Sequence, residues 1–419
     1  MKALSIALLS LGFATSLSAQ TINGIDYSTY GDPANTFEMT HSDILGQRFA
    51  SEHLTLVDPV TDVPYIALTT SKHSNSKFYQ THPSWTPDGK YIIFRSSRGR
   101  NEDTGSRGFA YAMSMETFEI TQVTTADWGS NLHLGWKENL AYFFHDQKLK
   151  ALDLGRLLAD SERNSVSPPE SYLTTLVTLP EGFRHSGGLG IDAKQNRAYF
   201  GGRSEKPGST LYSADFSTGE LTKLLDVPLW ANHIQANPYV SGEFMYCWET
   251  RGDAPQRMWM VSLSPDGSVT NRAVYPEKPS EWVTHEVYSD ADHIVFNVMA
   301  HLDRLQENPT GVFSLNLRTN EVTNHGQIGK GGFWHCDRSE DGRWIVADTF
   351  DGELYRIDTE TGIQTLLTTG HRGISKSPFT SEAHSHHNIS PDNKWVLFNS
   401  SQLTDSDIML VPLHPEQAK

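Results

Sequence analysis

The chain has 419 residues, 34 Lys+Arg against 50 Asp+Glu, a net charge of −16, 37% hydrophobic residues and two cysteines. That is too long for a disulfide-stapled mini-protein, too aromatic for a disordered one, and too acidic to hold a phosphate backbone through non-specific contacts. With 32 Gly and 20 Pro to feed turns, the composition points to an acidic, β-rich globular protein.

At the N-terminus, Met1-Lys2 precedes an apolar run from Ala3 to Ser18 that ends in Ser16-Leu17-Ser18-Ala19-Gln20. This reads as a secretory leader over residues 1–19, followed by an extension over 20–52, and places the protein in the periplasm or outside the cell. No other stretch has the roughly 18 apolar residues of a membrane-spanning helix. In an oxidising compartment Cys247 and Cys336 could pair; two buried thiols are the alternative.

Past the extension, one pattern recurs: a turn carrying Asp, Asn or Gly, then a short apolar strand. The strands end near residues 94, 144, 200, 246, 296, 347 and 398, at intervals of 46 to 56 residues. Between copies runs an alternating strand, a polar turn and another strand, as in Leu211–Asp215, Ser217-Thr218-Gly219 and Leu221–Leu224. Four strands per copy repeated seven times predict an all-β fold, a seven-bladed β-propeller spanning residues 53–413. The last copy, ending in Asp407–Val411, is one strand short. The segment Leu54–Val57 and Tyr65–Leu68 has no inner strands of its own and is expected to complete it. Helical periodicity is confined to Lys148–Ser161.

A propeller serves enzymes, lectins and binding platforms alike, so function has to come from residues at the hub. Histidines bunch there: His82, His233, His285, His335 and His384-Ser385-His386-His387 among 18 in all. A lone His before a strand is ordinarily a satisfied turn or core residue. Here His285, His335 and the pair His384 and His386 follow one another at 49 to 51 residues, the blade repeat, so they converge on one end of the channel. On extended backbone, His384 and His386 point to the same side. Such neutral imidazoles suit a transition metal such as Mn, Zn or Fe. Among the cations, Arg257 precedes the apolar Met258-Trp259 and is expected to face inward, with Arg251 close by. Lys77, Arg95, Arg98 and Arg100 read mostly as solvated charges. A metal plus an Arg is a way to hold a carboxylate.

With these residues in view, the chain resembles the oligogalacturonate lyases, polysaccharide lyases built on a seven-bladed propeller. The likeness rests on Phe78-Tyr79-Gln80, Trp230-Ala231-Asn232-His233, Arg257-Met258-Trp259, Thr284-His285-Glu286, His335 and His384-Ser385-His386 with Ser390-Pro391-Asp392. The resemblance implies β-elimination at a 4-linked uronate, with His285 as base and Arg257 on the substrate carboxylate. It implies Mn²⁺ held by His335, His384 and His386, with Zn²⁺ or Ca²⁺ also compatible. It further places His233, Tyr79, Gln80 and Arg251 at the substrate. Where that family has a metal-binding Gln, this chain has Ser381 with Glu382 beside it, so either Glu382 is the replacement ligand or water fills the place. The implied partner is an anionic uronate oligo- or polysaccharide, with no nucleic acid.

Those lyases are typically cytoplasmic, whereas this chain carries a leader. The secreted ulvan lyases, also propellers, are therefore a second resemblance, with His133, His185, Tyr199 and Arg203 as members of their catalytic set. A non-catalytic periplasmic binding propeller, in which the histidines are structural and no metal binds, is the third reading.

Overall fold

The computed structural model describes residues 44–417 apart from 72, 100–107, 204–207, 330 and 373–383, together with two short paired strands, Thr21–Ile22 and Ile25–Asp26. The expected leader, most of the extension, and Ser381 and Glu382 lie outside the described residues.

Seven antiparallel sheets follow one another along the chain. Blades two to six are formed by consecutive strands, four each. They begin with His133–Leu134, His185–Ile191, Ala231–Ala236, Val283–Tyr288 and Phe333–Arg338. Blade one runs Asn75–Lys77, Tyr91–Ser96, Phe109–Ser114, Ile120–Gln122 and then Arg48–Phe49. The propeller pairing thus starts at Arg48, ahead of the expected boundary at residue 53. Blade seven runs Asn388–Ile389, Trp395–Ser400, Asp407–Pro412, Pro64–Ala67 and Leu54–Val57, so strands from both ends of the described propeller share one sheet.

The seven recurring strands of the sequence are the second strands of the blades, and three of the turns before them share one chemistry. Asp88, Asp341 and Asp392 each accept from the hydroxyl two residues earlier, Thr86, Ser339 and Ser390, at 2.6–2.7 Å. Gly89 and Gly342 follow at φ 69° and 72°, the left-handed region in which glycine carries no Cβ penalty. Alternation along the strands puts apolar residues on both sheet faces, and adjacent blades bury them against each other. Ile92, Phe94 and Tyr111 of blade one pack with Ile66, Trp395 and Leu410 of blade seven.

Two expectations need correcting. Lys148–Ser161 is not one helix: Lys148–Asp153 is a strand and Leu154–Glu162 a helix, capped by the Asp153 carboxylate on the Arg156 N–H at 2.9 Å. The strict alternation of Lys148-Leu149-Lys150-Ala151 suits a strand, and sheet pairing wins over helix propensity. Lys77 and Arg98 are buried, not solvated: Arg98 forms an ion pair with buried Glu52, and Lys77 sits on the innermost strand of blade one.

Candidate active site

The first strands of blades three to six all slip register at one level, between Ser186 and Leu189, Asn232 and Gln235, Thr284 and Val287, and Phe333 and Cys336. A bulge inserts a residue, breaks the two-residue alternation and re-aims side chains. Gly187-Gly188, His233-Ile234, His285-Glu286 and Trp334-His335 occupy the four bulges. His233 and His285 adopt φ 49° and 59°, and His386 near blade seven φ 42°. Left-handed backbone at non-glycine residues costs about 1–3 kcal/mol each and persists where surrounding structure fixes it, commonly at functional sites.

The bulges bring the expected residues together. The coordinating atoms of His335, His384 and His386 lie within 4.8 Å of one another. The His285 ring lies tilted against that of His335 with centroids 4.0 Å apart. Tyr79 of blade one spans the hub, 4.9 Å from the His233 ring and 4.7 Å from that of His386.

The donor set fits a divalent metal. The His335 backbone N–H donates to Asp348 at 2.6 Å, and its Nδ1 lies 3.0–3.1 Å from both Asp348 oxygens. Asp348 is held in turn by the Ser385 hydroxyl at 2.6 Å. This fixes the tautomer with Nδ1 protonated and leaves Nε2 fully buried with no hydrogen-bond partner. An orphaned, lone-pair-bearing nitrogen among two further imidazoles is what a metal would satisfy, and the carboxylate behind it is the usual orienting partner. Burial and the neighbouring histidines hold the pKa values of His335 and His386 well below the ordinary range, so both offer neutral nitrogens.

His285 donates Nδ1–H to the Trp334 carbonyl, which leaves Nε2 as its basic nitrogen. Burial first, then His335 and Arg257, pushes its pKa well below the ordinary histidine range. Arg257 faces inward as expected, 4% exposed, but it is not free. Its Nε donates to Glu286 at 2.9 Å and its Nη1 lies 3.8 Å from Glu249. Glu249 also sits 3.5 Å from the His233 Nε2, and that hydrogen bond foremost pulls its pKa down to about 2. Glu277 accepts the Arg257 backbone N–H and is pushed up to about 7 by burial. His233, Cys247 and Glu249 form a second group of potential ligands. The adjacent guanidinium already supplies the cation there and opposes a metal.

Other expectations fare differently. The Gln80 amide nitrogen is engaged by the carbonyls of His285 and Cys336 at 3.1 and 3.2 Å, so it ties blade one to blades five and six and offers substrate no donor. Arg251 lies at the rim over Trp230, 5.8 Å from the ring centroid. Cys247 and Cys336 are both free and buried, which excludes their pairing. Of the ulvan-type set, Tyr199 is buried in the core with its hydroxyl on Asp192 at 3.0 Å, unable to join His133 and His185. Glu286, Glu249 and Asp348 were not singled out from sequence. Glu286 lay inside the Thr-His-Glu stretch, but Asp348 carries no local signal.

No protein-family model matches the chain, and no curated protein does. Among solved structures, an oligogalacturonate lyase in complex with manganese superposes with a TM-score of 0.72 at 20% identity, covering 89% of this chain and 99% of that one. The oligogalacturonate lyase from Vibrio parahaemolyticus gives 0.73 at 19% identity, covering 90% of this chain and all of that one. The fold of this chain is therefore the seven-bladed propeller that these two oligogalacturonate lyases share.

Proposed function

We propose that the protein is a metal-assisted polysaccharide lyase that cleaves 4-linked uronate glycans by β-elimination. The observation that carries this reading is the His335, His384 and His386 cluster, with its orphaned nitrogen, set beside His285 and Arg257. Two lyase structures of the same fold add support, one of them described with manganese.

Arg257 presents its remaining Nη2, which has no partner among the described residues, to the uronate carboxylate. Glu286 fixes the plane of the guanidinium. Glu286 and Glu249 already balance its charge, so Arg257 alone leaves a bound uronate uncompensated. His335, His384 and His386 would hold a divalent cation, which when bound would supply the missing positive charge next to the carboxylate. Neutral His285 takes the C5 proton on Nε2. The C5–H electrons form the C4–C5 double bond, and the C4–O bond breaks with its electron pair on the departing oxygen, which takes a proton from solvent. His285 stays unprotonated at neutral pH, the form that accepts the proton. Tyr79 and His233 border the space where the sugar ring would lie. The leader expected from the sequence would put this activity in the periplasm or outside the cell.

The test is metal analysis of purified protein, with an absorbance assay for the unsaturated uronate product on pectic oligomers, polygalacturonate, ulvan and alginate. Stoichiometric divalent metal and product from at least one glycan are expected. Absence of both metal and product would refute the proposal in favour of a binding propeller.

A further inference from the structure

A cavity of about 530 Å³ is lined among others by Tyr79, Arg95, Trp128, Asn131 and His133, and it meets the hub at Tyr79, whose ring lies beside those of His233 and His386. Its size is that of a small-ligand site. Its charge is unusual for an acidic protein. Arg95 donates from Nη1 to the exposed Asn131 side chain and from Nη2 to the Lys77 carbonyl, both at 3.2 Å, while its buried Nε has no partner. No carboxylate of the described residues pairs with it, and burial alone pulls its pKa down. The neighbouring Lys77 is a fully buried cation beside the half-buried Arg95, its ammonium on the carbonyls of Phe78 and His386. Buried cations are ordinarily paired, because desolvation without a counter-charge costs several kcal/mol. Across the cavity, His133 is fixed by its Nδ1 on the Leu134 carbonyl at 2.7 Å, which leaves Nε2 as an acceptor for a hydroxyl.

We propose that this cavity is a subsite for the sugar unit adjoining the one that is cut, with Arg95 holding the oxyanion on that unit. The inference rests on the lyase reading. The oxyanion is a carboxylate or a sulfate ester, which a guanidinium recognises through the same charge-assisted hydrogen bonds. Trp128 and Tyr79 would border the ring, and the substrate would then be an oligomer that runs from the hub across blades one to three.

The test is calorimetry on metal-loaded His285→Ala protein, which removes turnover, titrated with di- and trigalacturonate and with short and longer sulfated ulvan oligomers. In at least one series the longer oligomer is expected to bind about tenfold tighter than the shorter, the scale of one charge-assisted contact. Adding Asn131→Asp, isosteric and exposed, gives Arg95 a carboxylate of its own; the longer-to-shorter ratio should fall to within about twofold. Arg95→Gln should do the same if it folds. Gain in the galacturonate series identifies a carboxylate, and gain in the ulvan series alone a sulfate ester. A ratio that survives Asn131→Asp, or no gain in either series while the short oligomers bind, overturns the subsite alone. No binding by any oligomer overturns the lyase reading with it.

Discussion

Asp348→Asn isolates the metal centre from the rest of the hub. The carboxylate receives the His335 backbone N–H at 2.6 Å, the His335 Nδ1 at 3.0–3.1 Å and the Ser385 hydroxyl at 2.6 Å. An amide keeps a single acceptor oxygen. It can still serve His335, but without charge, and charge-assisted hydrogen bonds are about twice as strong as neutral ones. The imidazole then loses basicity and is freer to take the tautomer that protonates Nε2, which cannot coordinate. Loss of such an orienting carboxylate typically weakens metal affinity about 10- to 100-fold, or about 1.4 to 2.8 kcal/mol. The metal-free protein should change little in stability, since a neutral amide replaces a carboxylate whose pKa burial raises. The assay is chelator competition for Mn²⁺, with thermal unfolding at fixed metal concentration. At saturating metal, each tenfold loss of affinity removes about 1.4 kcal/mol of metal-dependent stabilisation. An Asp348→Asn protein that holds Mn²⁺ as tightly as the parent would refute the assignment of His335 as an oriented ligand.

Three further outcomes are expected. His285→Ala should lower the elimination rate about 10²- to 10⁴-fold, as for loss of a general base, with metal content and melting temperature preserved; a smaller loss removes His285 from the chemistry. Arg257→Ala should abolish product formation and also destabilise the fold by about 3–5 kcal/mol in urea, because Glu286, 2% exposed, is left as a buried unpaired charge; retained stability would show that the pair relaxes. The third concerns pH. Burial pushes the Asp407 pKa up to about 6, against an unfolded value near 3.9, so the folded state holds the proton more tightly. The stability it contributes is present below about pH 4 and is lost as pH rises through about 6, for about 3 kcal/mol in all; Asp407→Asn should flatten that fall in unfolding curves over this window.

The propeller was legible because its signal is repetitive. The same local turn chemistry returns at Asp88, Asp341 and Asp392, and the strands alternate; neither needs knowledge of distant residues. The histidine register was legible for the same reason, since a residue at a fixed place in each repeat faces a common axis. Lys148–Asp153 was misread because a short alternating strand running straight into a helix blurs both periods. Gln80 and Lys77 were misread because their roles lie on backbone carbonyls more than 200 residues away in the chain.

By itself the sequence determined the number of blades and the histidines that share a level, since both are properties of a local repeat. Only the tertiary structure decided what those histidines can do. The bulges that re-aim His233 and His285 and the Asp348 carboxylate behind His335 arise between strands of one blade, Glu249 and Glu286 reach Arg257 from its own blade and the next, and Arg95 has no carboxylate partner among the described residues. Charge balance and tautomer depend on partners brought within a few ångströms by strand pairing and blade packing, and those partners leave no mark in the local sequence.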